Sequence, residues 1–182
     1  MRVNEPGAQG RQLLAPAHPD DAGEADAALV RALARYAEAP GAEGRAAVLA
    51  AIAGSRVLVP VVAVLGEMEI DESGLAVDKS ADMAAVLMTG RDGRTALLGF
   101  TSLATMADWD PEARPVPVTA STAATAAIQE GAAALVIDVA GPVTFALEGE
   151  ELHAVAAGWH LVRVGGEFGW LAADSTETGI TP

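Results

Sequence analysis

Residues 94–139 read RTALLGFTSLATMADWDPEARPVPVTASTAATAAIQEGAAALVIDV, and this stretch decides the fold. Arg94 to Phe100 is a short apolar run of strand type. Ser102 to Trp109 reads as a short helix, with Ser102 able to cap its start and Asp110-Pro111 stopping it. Val116 and Val118 form a brief strand flanked by Pro115 and Pro117. Thr119 can cap a helix that runs through Glu130 to a terminating Gly131, and its Ala-Thr middle with Ile128 suits close packing on a sheet. Ala134 to Val139 is the next strand. Strand and helix thus alternate, and such a run can form parallel neighbours through right-handed crossovers.

On the N-terminal side, Leu29, Val30, Leu33 and Tyr36 recur at helical spacing after a capping Asp26, and Pro40-Gly41 ends that helix. A second helix is expected from Glu43 to Ala53, with Val48, Leu49 and Ile52 as its stripe and Gly54 as its stop. Arg56 to Leu65 is a β-branched run of the kind found in a buried strand. Pro60 donates no ladder hydrogen bond, so an edge position or a bulge is expected there. Glu67, Glu69, Asp71, Glu72 and Asp78 make the following segment an acidic connector. Met83–Thr89 and Arg94–Phe100 are expected to form a hairpin about Gly90-Arg91-Asp92-Gly93. On the C-terminal side, Ala140-Gly141-Pro142 turns the chain into a strand over Val143–Leu147. A helix follows from Gly149 to Ala157 with Glu150 and Glu151 in its favoured first turn, closed by Gly158. A small hairpin about Gly165-Gly166 is expected last, fraying from Asp174. The expected class is α/β in the broad sense (α+β): a single mixed β-sheet with helices packed on it, preceded by two N-terminal helices. Residues 1–23 are expected as a flexible tail, 24–158 as the domain, and 159–182 as a partly disordered extension.

The chain has 182 residues and a net charge of -14, and Lys79 is its only lysine. Half of it, 51%, is hydrophobic, but 41 alanines inflate that figure, so the core must rest on Leu, Val, Ile, Met and a few aromatics. The acidic balance repels nucleic-acid phosphates and anionic membrane surfaces alike, so neither is expected as a partner. Val57–Leu65 is the longest aliphatic run; it contains Pro60 and falls far short of the roughly 20 residues that span a bilayer. The first 21 residues lack a continuous apolar core, so no signal peptide is expected and the default location is cytoplasmic. Cysteine is absent, which excludes disulfides, thiolate metal sites and a cysteine nucleophile.

Reactive constellations are missing too. His18, His153 and His160 show no metal-ligand spacing, and no GxSxG elbow places a serine nucleophile. Gly165-Gly166-Glu167-Phe168-Gly169 lacks the lysine of a phosphate loop and does not lead from a buried strand into a helix. An EF-hand frame starting at Glu69 puts Gly74 at position six, but Ser80 then stands where the bidentate glutamate belongs. No catalytic residue, metal or cofactor is expected. Phe100-Thr101-Ser102 and Asp108-Trp109-Asp110-Pro111 stand out instead, because they bracket a short helix with aromatics in a chain that has few. Trp109 there serves as a core plug or, with its edge exposed, as a contact anchor.

These segments carry a family likeness. Ala53-Gly54-Ser55-Arg56-Val57-Leu58-Val59-Pro60-Val61-Val62, Lys79-Ser80-Ala81-Asp82-Met83-Ala84 and Gly99-Phe100-Thr101-Ser102 occur in order. They are followed by Ala107-Asp108-Trp109-Asp110-Pro111, Arg114-Pro115-Val116-Pro117-Val118 and the run Gly131–Phe145. In that order they resemble the SseB-family N-terminal domain, in the small form typical of high-GC bacteria, over about residues 26–157. The resemblance implies a compact α/β domain and supplies no catalytic residues to carry over. Longer members have a second, C-terminal SseB domain, for which this chain is too short. The family names refer to enhanced serine sensitivity and to type III secretion, and neither defines a mechanism.

Three functions follow as expectations. The first is a non-enzymatic cytoplasmic protein-protein interaction domain, meeting a protein partner or a second copy through Phe100, Thr101, Ser102, Asp108, Trp109 and Asp110. The alternative is a small-ligand-binding protein or enzyme with a site at the sheet's strand ends, where Asp82, Asp108 and Asp138 lie. A secretion-associated protein rests on the family label alone.

Overall fold

A computed structural model of the chain describes residues 21–64 and 82–172. The acidic connector, most of the N-terminal tail and the stretch from Asp174 lie outside these residues. Two helices come first, α1 (Ala27–Glu38) and α2 (Ala42–Ala53). Asp26 caps α1 by accepting from the backbone N–H groups of Ala28 and Leu29, as its position predicts. Gly54 does end α2, but with φ -98 it does so without a left-handed turn. The strands are β1 (Arg56–Val64), β2 (Asp82–Ala85), β3 (Leu87–Thr89), β4 (Thr95–Gly99), β5 (Arg114–Thr119), β6 (Ala134–Ile137) and β7 (Phe145–Glu148). Three more helices, α3 (Leu103–Trp109), α4 (Ala120–Gln129) and α5 (Gly149–Ala156), alternate with the later strands, and a hairpin of β8 (His160–Val164) and β9 (Glu167–Leu171) follows.

The α+β class with two leading helices is as expected, but the strands do not form the single sheet expected. The strands divide between a ladder β2-β1-β5 and a mixed ladder β3-β4-β6-β7, while β8 and β9 pair with each other. A bridge between Leu58 and Phe100 joins the two ladders, with each backbone N–H donating to the other's carbonyl at 2.8 Å. The expected parallel neighbours are β4 and β6, in register from Ala96↔Ala134 to Gly99↔Ile137. β5 does not join them. It runs antiparallel to β1, with Val118 opposite Val57 and Val116 opposite Val59.

Prolines explain this division. Leu58 directs its backbone polar groups to Phe100, so Val57 and Val59 direct theirs to β5, where Val118 and Val116 meet them. Pro117 and Pro115 alternate with these valines, so their missing N–H groups fall on the outer side of β5. A strand with donors on one side only belongs at an edge. Pro60 itself is neither at an edge nor at the end of a strand; it stands in the middle of the central strand β1, with Pro115 of β5 on one side and Val86, just past β2, on the other. Its carbonyl accepts from Val86 N at 3.0 Å, but it has no N–H to return. The Val86 carbonyl instead accepts from Leu98 N at 3.5 Å. Val86 is the residue at which the chain leaves β1 as β2 and joins β4 as β3. The expected hairpin about Gly90–Gly93 therefore has a first arm divided between two ladders.

The two faces of this surface are unequal. On one, Val57, Val59, Leu97, Leu135, Ile137, Phe145 and Leu147 form a large core with α1, α2, α4 and α5. α4 presents Ala120, Ala123, Ala124, Ala126 and Ala127, all buried, which lets its backbone approach closely. On the other, Leu58, Leu98, Phe100 and Met106 form a small cluster closed by α3. Full burial of such side chains stabilises the fold by about 1.5–3 kcal/mol each.

Candidate functional site

The ends of the parallel strands β4 and β6 hold the residues singled out in the sequence. β4 leads through Phe100 and Thr101 to Ser102, which caps α3. The Ser102 hydroxyl accepts from Thr105 N at 3.1 Å, and Thr105 Oγ1 accepts from Ser102 N at 3.2 Å, so the capping box is complete. β6 leads to Asp138, whose φ of +50 places it in the left-handed region that aspartate tolerates better than most residues. Asp138 is buried, 3% exposed, and both its carboxylate oxygens accept from Thr101: Oδ1 from Thr101 N at 2.9 Å and Oδ2 from the Thr101 hydroxyl at 2.7 Å. Asp138 N donates back to Gly99 O at 2.9 Å. Gly141 lies so close that a Cβ there would sit 2.9 Å from that of Asp138. These contacts clamp the two strand ends together and fix the start of α3.

A cation supports the clamp from the other side. Arg56, at the start of β1, donates to Thr101 O at 2.7 Å and to Asp21 Oδ1 at 2.7 Å, and pairs through Nε with Asp21 Oδ2. Leu103 N donates to Gly23 O at 2.9 Å. The last residues of the expected tail, Asp21 to Gly23, are thus tied against α3.

Phe100, Thr101 and Ser102 are buried, so they shape the surface from beneath and do not form it. Trp109 is half-buried and stacks on Phe100, with ring centroids 5.5 Å apart and planes at 30°. Asp110 is half-buried and Asp108 exposed. The solvent side of α3 is made by Leu103, 45% exposed, with Ala104, Ala107 and Asp108. Leu103 was not singled out in the sequence. Its exposure depends on the helix register that Ser102 sets, and the apolar periodicity alone would have placed it inside.

Of the carboxylates named for a strand-end reaction site, the two whose side chains are described do not converge. Asp138 is spent on Thr101, Asp108 lies on the outer side of α3, and the side chain of Asp82 lies outside the described residues. His153 Nδ1 donates to Gly149 O at 2.7 Å, a local helix contact. Among the described residues no group of three or more His, Asp or Glu could hold a metal ion, and no helix is long and apolar enough to cross a membrane.

A second recess, which sequence reasoning missed, lies where the β8–β9 hairpin meets α2 and α5. It is a cleft of about 270 Å³ lined by Ala42, Ala46, Leu49, Leu161, Phe168 and Trp170, with Arg45, Glu150 and Glu151 beside them. Arg45 donates through Nε to Glu151 Oε1 at 2.6 Å, pairs through Nη2 with Oε2, and reaches Ala146 O at 2.9 Å. It also lies 4.7 Å from the centroid of the Phe145 ring. The Glu151 hydrogen bond, above all, holds the Arg45 guanidinium above its ordinary pKa. The partners are 106 residues apart, and no local pattern signals such a pair.

With this geometry in place, comparison with known proteins gives a family match. Residues 29–154 fit the family model of the SseB protein N-terminal domain. No curated protein sequence and no solved structure is matched by the chain.

Proposed function

This chain belongs to the SseB family, and from that premise we propose that it is a non-enzymatic, cytoplasmic protein-protein interaction domain that docks through α3. The interacting unit is residues 24–158. The observation that supports this reading most is the solvent side of α3. Leu103, Ala104 and Ala107 offer a small apolar patch bordered by Asp108, on a helix of only seven residues. A helix this short is marginal alone. It is held by a capping box, by the Asp138–Thr101 clamp and by the Phe100–Trp109 stack. Such preorganisation lowers the entropy that docking must overcome. The site residues divide the work: Phe100, Thr101 and Ser102 position the helix, Trp109 backs it, and Asp108 and Asp110 border the contact. The net charge of -14 works against nucleic acid as the partner. A reaction at the strand ends would need a carboxylate free to move protons, and Asp138 is committed to Thr101.

The test is a quantitative comparison of what the wild-type chain and Leu103→Asp recover from the native cell. Leu103→Asp gives up the packing of its side chain against Gly23, which should cost about 1 kcal/mol and lower the melting temperature by roughly 3–4 °C, leave the chain folded, and lose a specific partner. Recovery of the same proteins by both chains would refute docking through α3.

A further inference from the structure

We propose that the cleft between α2, α5 and the β8–β9 hairpin receives a basic side chain, arginine or lysine, projected by a segment of a partner protein. This surface is separate from α3, and the proposal does not rest on the docking reading above.

Size admits the occupant. At about 270 Å³ the cleft lies at the lower edge of the roughly 300–1,000 Å³ of small-molecule cavities, and it has room for one long side chain. Ala42 and Ala46 line it from α2 with small side chains, and Leu161 and Trp170 line it from the hairpin. Leu49 and Leu161 would flank the methylene stem. Phe168, 38% exposed, and Trp170 supply aromatic surface for a cation. The fold already pairs guanidinium groups with aromatic rings on either side of this cleft: Arg45 lies over Phe145 and Arg163 lies 5.2 Å from the Phe168 centroid.

Charge sets the sign. Both basic groups near the cleft are neutralised, Arg45 by Glu151 and Arg163 by Glu43 at 2.7 Å. Glu150 is exposed and makes no hydrogen bond or ion pair among the described residues, so its charge at the cleft is offset only by the N-terminus of α5. An anion would meet repulsion from Glu150 and from a chain of net charge -14, whereas an incoming cation gains a carboxylate partner. The same net charge disfavours a second copy of this chain as the source. A basic segment of another protein remains, and charge complementarity would speed its encounter.

The experiment is an NMR titration of the full chain with acetyl-Leu-Arg-Leu-amide. The neutral isostere acetyl-Leu-citrulline-Leu-amide, acetyl-Leu-Glu-Leu-amide and free arginine serve as comparisons. The arginine peptide should move the Trp170 indole N–H and the amides of Ala42, Ala46 and Glu150. It should bind about tenfold more tightly than the citrulline peptide, since a charge-assisted contact and a cation–π contact are both lost. Glu150→Gln should weaken it about fivefold at low salt, as for loss of one exposed ionic partner, while leaving the melting temperature unchanged. Leu103→Asp should have no effect. Equal binding of the arginine and citrulline peptides, shifts confined to other surfaces, or no shift at all would overturn the proposal. So would free arginine binding as tightly as the peptide, which would make the cleft a metabolite site.

Discussion

Thr101→Val tests the clamp that positions α3. Valine keeps the shape of threonine and opens no cavity, but it removes the hydroxyl that donates to Asp138 Oδ2 at 2.7 Å. The carboxylate stays buried, 3% exposed, with the Thr101 backbone N–H as its remaining donor from that residue. A hydrogen bond to a charged group contributes about 1.5–3 kcal/mol, and the loss leaves an acceptor short in a dry site. We therefore expect Thr101→Val to cost about 2 kcal/mol, which lowers the melting temperature by roughly 5–8 °C for a domain of this size. Thr101→Ser keeps the hydroxyl and loses one methyl, so it should cost about 1 kcal/mol. Asp138→Asn keeps one oxygen for Thr101 N and turns an amide NH2 toward the Thr101 hydroxyl, which would then accept a neutral bond; on that background the same Thr101→Val change should cost about 1 kcal/mol. The assay is urea unfolding at neutral pH, with the four chains of the Thr101→Val/Asp138→Asn cycle measured together. A coupling near zero, or a Thr101→Val cost below that of Thr101→Ser, would refute the clamp.

Two other outcomes are expected. Pro115→Val with Pro117→Val restores two donors on the open side of β5, so dynamic light scattering should show concentration-dependent association that the wild-type chain lacks; an unchanged hydrodynamic radius would contradict the edge assignment. The Asp92 carboxyl, held below its ordinary value first by the side-chain hydrogen bond from Arg94, should titrate higher in Arg94→Ala when followed by NMR. Because the folded value is depressed, the contact stabilises the fold above the unfolded value and is lost as pH falls through the folded one. An Asp92 titration unmoved by Arg94→Ala would show that the pair does not form in solution.

Local features of this fold were legible because local chemistry specifies them. Asp26, Ser102 and Thr119 announce helix starts through side-chain oxygens that meet nearby N–H groups, and all three do so. Gly165 and Gly166, both with positive φ, mark the last hairpin for the same kind of reason. Pairing between distant segments was not legible. Pro60 by itself suggests an edge, and only the partners on both sides of β1 show that its missing donor lets Val86 change ladders. The candidate site was read through its aromatics, which do gather at α3. The Thr101 step before α3 is held by Asp138, 37 residues away, and so could not be read from the segment itself. The cleft beside Arg45 was invisible because its walls come from three distant parts of the chain.

The alanines that α4 turns inward have a thermal consequence. A helix that packs through methyl groups brings backbones together and gains dispersion contacts, yet it hides little hydrocarbon from water for each turn. Melting of α4 then hydrates little apolar surface, and the heat-capacity increment that curves the stability profile comes chiefly from the Leu, Val, Ile and Phe side chains around it. Enlarging an inward alanine of α4 would therefore disturb the packing more than it would change that curvature.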